Sequence, residues 1–337
     1  MRRRDLLRVL GAALVVQPLA ARSQQADRVR RIGVLMGYPE GDLQAQANAV
    51  ALREGLGALG WTEGRNIRID YRWAGDDPRK AQTFARELID IAPEVIVPST
   101  NQVTAILQQE THTIPIVFVF VGDPIGSGFV ASLARPGGNL TGFANFENVI
   151  GGKWLEILRE MVPDVRRFGF IHDPDAPPNV GFLHAAEAAA AIFGVKLVPL
   201  AVRNTPEIER AVTAFAVESN TGGTGEFSAG LIVAPHAVTL GNRDLIATLA
   251  ARYRLPAIYS DRYFAESGGL VSFGNNTPDM FRRAASYVDR ILKGAKPADL
   301  PVQLPTRFEL IINMPTSKAL GLTIPQSIFQ RADDVIE

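Results

Sequence analysis

Ile32-Gly33-Val34-Leu35-Met36 is followed by the turn-rich Gly37-Tyr38-Pro39-Glu40-Gly41-Asp42 and then by Leu43 to Leu59, and the fold turns on this stretch. Five consecutive residues without a polar side chain read as a strand buried on both faces, the environment of a parallel sheet covered by helices. Ala47, Val50, Leu52, Leu56 and Leu59 then mark one face of a helix, which Gly60 ends. Ile67, Ile69, Tyr71 and Trp73 alternate as a second strand. Working outward, Ala81 to Ile91 is a helix, Val95-Ile96-Val97 a strand, Val103 to Gln109 a helix and Ile114 to Val121 a strand. Alternation of this kind with short connections predicts an open parallel sheet with helices on both faces.

After the turn cluster Arg135-Pro136-Gly137-Gly138-Asn139 and a short run from Leu140 to Phe143, the alternation starts again. Strands are expected at Phe168 to His172, Val195 to Leu200, Leu231 to Val233 and Ala257 to Tyr259. Helices are expected at Trp154 to Met161, Ala185 to Phe193, Ile208 to Val217 and Leu245 to Tyr253. A strand at Leu270 to Phe273, a helix at Met280 to Leu292, a last strand at Phe308 to Ile312 and a short helix at Thr316 to Leu320 complete the chain. The fold class is therefore α/β, with two Rossmann-like lobes in tandem. The chain is expected to pass between them three times, near Gly142 to Asn145, Gly274 to Thr277 and Pro305 to Phe308. The first lobe would comprise 30–143 plus about 277–305, and the second 146–275 plus about 307–337.

The amino terminus has a different character. Arg2, Arg3 and Arg4 precede a mostly apolar run from Leu6 to Leu19 and the small-residue zone Ala20-Ala21-Arg22-Ser23, the layout of an export signal over 1–23. Arg3-Arg4-Asp5-Leu6-Leu7 also carries the twin-arginine pattern. The apolar run is shorter than the roughly 20 residues a bilayer requires. The whole chain has 337 residues, 35 basic and 35 acidic, and no cysteine. Without the leader it keeps 30 basic and 34 acidic residues, a net of −4. Scattered charge of that sign disfavours nucleic acid and anionic membranes as partners. The absence of cysteine excludes lipoprotein acylation and disulfides. The expected location is the periplasm.

Several chemistries fail on spacing. His112, His172, His184 and His236 stand far apart, so no metal site is expected. Gly126-Ser127-Gly128 lacks the spacing of a nucleophile elbow, and neither a P-loop nor a dinucleotide loop is present. No enzyme and no cofactor are expected. A geometric rule remains: in parallel sheets, ligands bind beyond the carboxyl ends of the strands. In the first half those ends carry Tyr38 and Glu40, then Ser99, Thr100 and Asn101 leading into a helix, then Gly122 and Asp123. In the second half they carry His172, Asp173, His236 and Asp261, with Asn275 at a crossing and Phe146 as an aromatic wall. The start of the helix at Ser99 to Asn101 would hold a carboxylate, or its hydroxyls would merely cap the helix. Asp123 would accept a ligand ammonium group, or cap the turn at Ser127.

Several stretches together resemble the ABC transporter substrate-binding proteins whose better-known members bind tryptophan or related aromatic amino acids. They are Arg31 to Leu35, Leu52 to Tyr71, Thr113 to Pro124, Phe129 to Phe143, Ala284 to Leu304 and Phe308 to Leu322. The resemblance implies a type I periplasmic-binding-protein fold with a three-strand hinge, a small carboxylate-bearing ligand in the cleft and delivery to a permease in the inner membrane. It places ligand-contacting turns on Ser99-Thr100-Asn101 and Gly122-Asp123-Pro124. The chain departs from the family pattern at Asn101 and Gln102, where small residues are commoner, and in the extended stretch from Asn220 to Ser228. A monomer is expected. The same fold also serves ligand-sensing modules that present to a receptor, and the residues alone do not separate the two uses.

Overall fold

The computed structural model of the protein describes residues 29–75, 77–220, 227–305 and 307–337. The expected export leader and most of the Asn220 to Ser228 stretch lie outside them. The first half runs β1 (Arg30–Met36), α1 (Leu43–Ala58), β2 (Ile67–Trp73), α2 (Pro78–Asp90), β3 (Val95–Pro98), α3 (Thr100–Glu110), β4 (Ile116–Val121) and β5 (Leu140–Ala144). Its strands form one wholly parallel sheet in the order β2-β1-β3-β4-β5.

The second half continues with α4 (Ile150–Met161), β6 (Arg167–His172), α5 (Pro177–Phe193), β7 (Lys196–Ala201), α6 (Thr205–Asn220), β8 (Gly230–Val233), α7 (Ala237–Gly241), α8 (Arg243–Arg252), β9 (Ala257–Tyr259), α9 (Arg262–Glu266) and β10 (Val271–Gly274). Then come α10 (Thr277–Leu292), β11 (Glu309–Asn313), α11 (Met314–Leu320), α12 (Gln326–Phe329) and β12 (Asp334–Ile336). The second sheet has the order β12-β11-β10-β9-β8-β6-β7. The two parallel α/β lobes expected from the sequence are thus both present. The tail differs from expectation: β11 pairs antiparallel with β10, and a further short strand, β12, adds parallel to β11.

Local chemistry explains why these elements form. Asp42 caps α1 by accepting from the Ala45 amide at 2.8 Å, and Asn276 caps α10 by accepting from Asp279 at 3.0 Å. Helix α10 follows the second sheet in sequence, yet it packs on α1 of the first. Gly55 allows this, because a Cβ there would stand 2.4 Å from the Arg282 carbonyl oxygen. Trp61 ties the same two helices through an Nε1 bond to Asp289 at 2.9 Å. Gln303 then pairs beside β5, accepting from Ala144 and donating to Gly142, both at 2.9 Å.

The core is continuous across the lobes. Phe146 meets Phe120, Trp154 and Phe182 edge to face, with centroids 5.5–6.2 Å apart, and stacks on Phe308 at 6.1 Å. Trp154 has no exposed surface and donates to the Phe273 carbonyl at 2.8 Å. Such aromatic contacts add to the area they bury and stiffen the region where the chain changes lobes.

Candidate functional site

The carboxyl ends of β3 and β4 face those of β6 and β8 across a cleft. A cavity of about 20 Å³ lies between them. Thr100, Asn101, Gln102, Phe120 and Gly122 line it from the first lobe, and Pro178, Asn179, Phe182, His236 and Leu240 from the second. It adjoins a more open groove of about 390 Å³, whose walls include Asn101, Gln102, Phe129, Asp173, Pro178 and His236. The groove has the volume of a small-molecule site.

The first-lobe wall is strained. Thr100, Phe120 and Asp123 all adopt left-handed backbone, with φ of 70°, 61° and 40°. Side chains avoid that region at a cost of order 1 kcal/mol each, and such residues gather at functional sites. At Phe120 the strain has a visible result. The β4–β5 register shifts between Val119 and Val121, a bulge. It carries Phe120 to the side of the sheet on which Val117 and Val119 pack, against strict alternation. Its ring thereby reaches the cleft.

The polar groups divide into committed and uncommitted. Ser99 Oγ accepts from the Gly37 amide at 2.9 Å. The Asn101 amide is committed to Gly122: it accepts from that residue's N–H at 2.8 Å and donates to its carbonyl at 2.7 Å. Asn101 therefore braces the two first-lobe turns against each other. Asp123 Oδ1 accepts from Gly126 at 2.9 Å, closing its own turn. Asn179 likewise braces the second-lobe turns, accepting from Asp173 at 3.0 Å and donating to the Pro235 carbonyl at 2.9 Å. By contrast, Thr100 Oγ1 and Gln102 Oε1 are buried at the cleft without partners. Buried polar atoms normally have a partner, so each marks a position where one is owed.

His236 Nδ1 lies 3.4 Å from the Val238 amide and 3.4 Å from Asp173 Oδ2. It can accept from the first or, protonated, donate to the second, but not both. Burial pushes its pKa down against the pull of Asp173, so the neutral ring is favoured. His172 behind it is also pushed down by burial, and its ring nitrogens have no partner.

Of the residues singled out in the sequence, Thr100, Asn101, Gly122 and His236 come together around the cavity, with Asp173 in the adjoining groove. Ser99, Asp123 and His172 are chain neighbours of Thr100, Gly122 and Asp173 but line neither space, and the remaining residues lie apart. Phe146 is core. Glu40 borders a separate groove of about 500 Å³ on the outer edge of the first lobe, beside Arg53, Tyr71 and Trp73. Asn275 lies at the crossing, donating to the Asn145 carbonyl. Tyr38 and Asp261 are buried at the far end of the cleft. There burial pushes the Tyr38 hydroxyl pKa up, and nearby Asp261 raises it further. Sequence reasoning missed Phe120, Asn145, Asn179 and Phe182. Among the described residues no group of three or more acidic or histidine side chains is placed to hold a metal, and no helix is long and apolar enough to cross a membrane.

Comparison with known proteins bears on the family and the fold. The family described as ABC transporter substrate binding protein matches residues 42–336. The tyrosine-binding protein of Clostridioides difficile is 23% identical over 295 residues, covering 87% of this chain and 81% of its own length. A crystal structure of a conserved domain protein from Vibrio cholerae superposes with a TM-score of 0.83 at 27% identity, over 91% of this chain and all of the other. An ABC domain from Streptococcus pneumoniae, solved in complex with L-Trp, superposes with a TM-score of 0.82 at 24% identity, over 91% and 99%.

Proposed function

The chain belongs to the ABC transporter substrate-binding protein family, and on that premise we propose that it encloses a small carboxylate-bearing solute, an amino acid or aromatic acid, and delivers it to an inner-membrane permease of an importer. The observation that carries this reading is the cleft wall contributed by both lobes, where strained backbone presents the unpartnered Thr100 Oγ1 and Gln102 Oε1 beside Phe120 and Phe182. Aromatic and proline walls suit a planar apolar group. The start of the eleven-residue helix α3 suits a carboxylate, which its free amides and partial positive charge attract. Asp123 Oδ2, left over once Oδ1 has closed its turn, is the acceptor for an ammonium group. His236 and Gln102 complete the enclosure.

The ligand class draws support from two relatives, one named for tyrosine and one solved with L-Trp. The leader-like residues 1–23 support export to the periplasm, where the protein would act as a monomer. In this mechanism residues 30–143 with about 277–305 and residues 146–275 with about 307–337 move as two bodies about the crossings, and the ligand stabilises the closed arrangement by touching both. A thermal-shift panel of amino acids, aromatic acids, nucleosides and sugars tests the reading. A true ligand at a hundredfold excess over its dissociation constant adds about 2.7 kcal/mol of stability. Stabilisation by aromatic amino acids or acids is the expected result, and a response to sugars or nucleosides alone would overturn the carboxylate assignment.

A further inference from the structure

At the end of the cleft away from the cavity, two carboxylates from opposite lobes repeat one design. Asp42 of the first lobe uses Oδ1 to cap α1, while its Oδ2 accepts from Arg243 of the second lobe. Asp261 of the second lobe uses Oδ1 to cap α9, accepting from Tyr263 at 3.0 Å. Its Oδ2 accepts from Gln44 of the first lobe at 2.6 Å and from Thr277 at 3.2 Å. Gln44 closes the set, its Oε1 lying 3.5 Å from Arg243 Nη1. Away from the crossings, these are the side-chain hydrogen bonds that pass between the lobes among the described residues. Gln44 and Asp261 are buried, at 0% and 1% exposure, and Asp42 and Arg243 are partly buried.

We propose that Asp42, Gln44, Arg243 and Asp261 form an interlobe latch that sets how readily the cleft closes, and so tunes affinity for every ligand without touching any. This rests on the solute-binding reading above. The helix caps fix each carboxylate within its own lobe, so both partners are oriented before the lobes meet, and little ordering remains to oppose closure. None of the four lines the cavity. The latch and the cavity nonetheless share the α7–α8 segment: Arg243 donates to the Leu240 carbonyl at 3.1 Å, and Leu240 and His236 line the cavity. A protein that is closed only part of the time binds more weakly by that fraction, whatever the ligand.

The test reads the interlobe distance directly. The chain has no cysteine, so Gln109→Cys and Ile192→Cys place one spin label on each lobe without competition. Asp42→Asn keeps the cap and removes the charge; Arg243→Gln removes the other partner. The expected result is a ligand-free distance distribution shifted toward open in each variant. Apparent affinity for all ligands should fall by one common factor of about ten, and the double variant should be no worse than either single one. Should Arg243→Gln fail to fold, Asp42→Asn combined with Gln44→Leu makes the same measurement. An unchanged distance distribution, or a loss that differs from ligand to ligand, would overturn the latch. Failure of the solute-binding reading would show separately, as a wild type whose distances no solute changes, while the ligand-free comparison would still decide the latch.

Discussion

Where the loops after β1 and β9 meet, Asp42 and Asp261 each find a donor across the cleft. Where the loops after β3 and β4 face those after β6 and β8, Thr100 Oγ1 and Gln102 Oε1 find none, and three residues sit on strained backbone. In the proposed mechanism both ends close in one motion. At the satisfied end the two carboxylates are paired by the chain's own groups, while the Tyr38 hydroxyl and Ser260 Oγ nearby have no partner; at the unsatisfied end the unpartnered atoms border the cavity itself. On the latch proposed above, lobe closure and ligand contact are divided between different residues, and substitutions at the two ends should produce different signatures.

The largest effect should come from jamming the unsatisfied end. A Cβ on Gly122 would stand 2.9 Å from the Pro178 Cβ of the opposite lobe. Gly122→Val therefore wedges the lobes apart and should weaken binding by about a hundredfold or more in calorimetry, with little change in unfolding midpoint, because neither lobe's own core is overpacked. Thr100→Gly should weaken binding about tenfold through loss of the hydroxyl, yet leave the fold as stable or about 1 kcal/mol more stable by urea unfolding, since glycine relieves the φ of 70°. A large loss of stability would mean that Thr100 is structural. Asp123→Asn keeps the turn to Gly126 but removes the charge. Competition assays should show amino acids losing about tenfold while aromatic acids without an amine are unaffected. Equal losses for both would remove Asp123 from the ammonium site.

The smallest effect belongs to the satisfied end. Burial pushes the Asp261 carboxyl up to about 6, so the folded protein holds that proton more tightly than the unfolded chain. The stability from this group is fully present below about pH 4 and is lost as the pH rises through about 6. His172 and His236, pushed down by burial, act in the opposite sense, losing stability as the pH falls below their ordinary range. Asp261→Asn should therefore leave only the histidine slope, and its melting curve should gain relative to wild type as the pH rises from about 5 to about 7, by a few degrees.

The fold was legible because buried parallel strands are continuous apolar runs: β1 and β4 need no tertiary knowledge to find. The tail was less so. β12 is three residues long, and its pairing depends on partners such as Leu310, whose carbonyl accepts from Asp333, more than on any local pattern. The strand-end rule located Thr100, Asn101, Gly122 and His236. It could not see Phe120, which stands inside an apolar run and reaches the cleft only because a bulge reverses its side. Asn179 and Phe182 were hidden for another reason: the helix expected from Ala185 begins at Pro177, so both lie on a first part of α5 that the sequence reading left out. Asp261 was correctly placed at a strand end, but which end of the cleft it occupies follows from the partners Gln44 and Arg243, far away in sequence.

Isothermal titration of the purified protein with L-tryptophan, L-tyrosine and L-phenylalanine, alongside Gly122→Val, tests the central claim most directly. The account predicts saturable one-to-one binding of at least one of them to the wild type and its loss in the variant. Binding that survives the wedge at Gly122 would contradict it, because the ligand would then lie somewhere other than between the lobes.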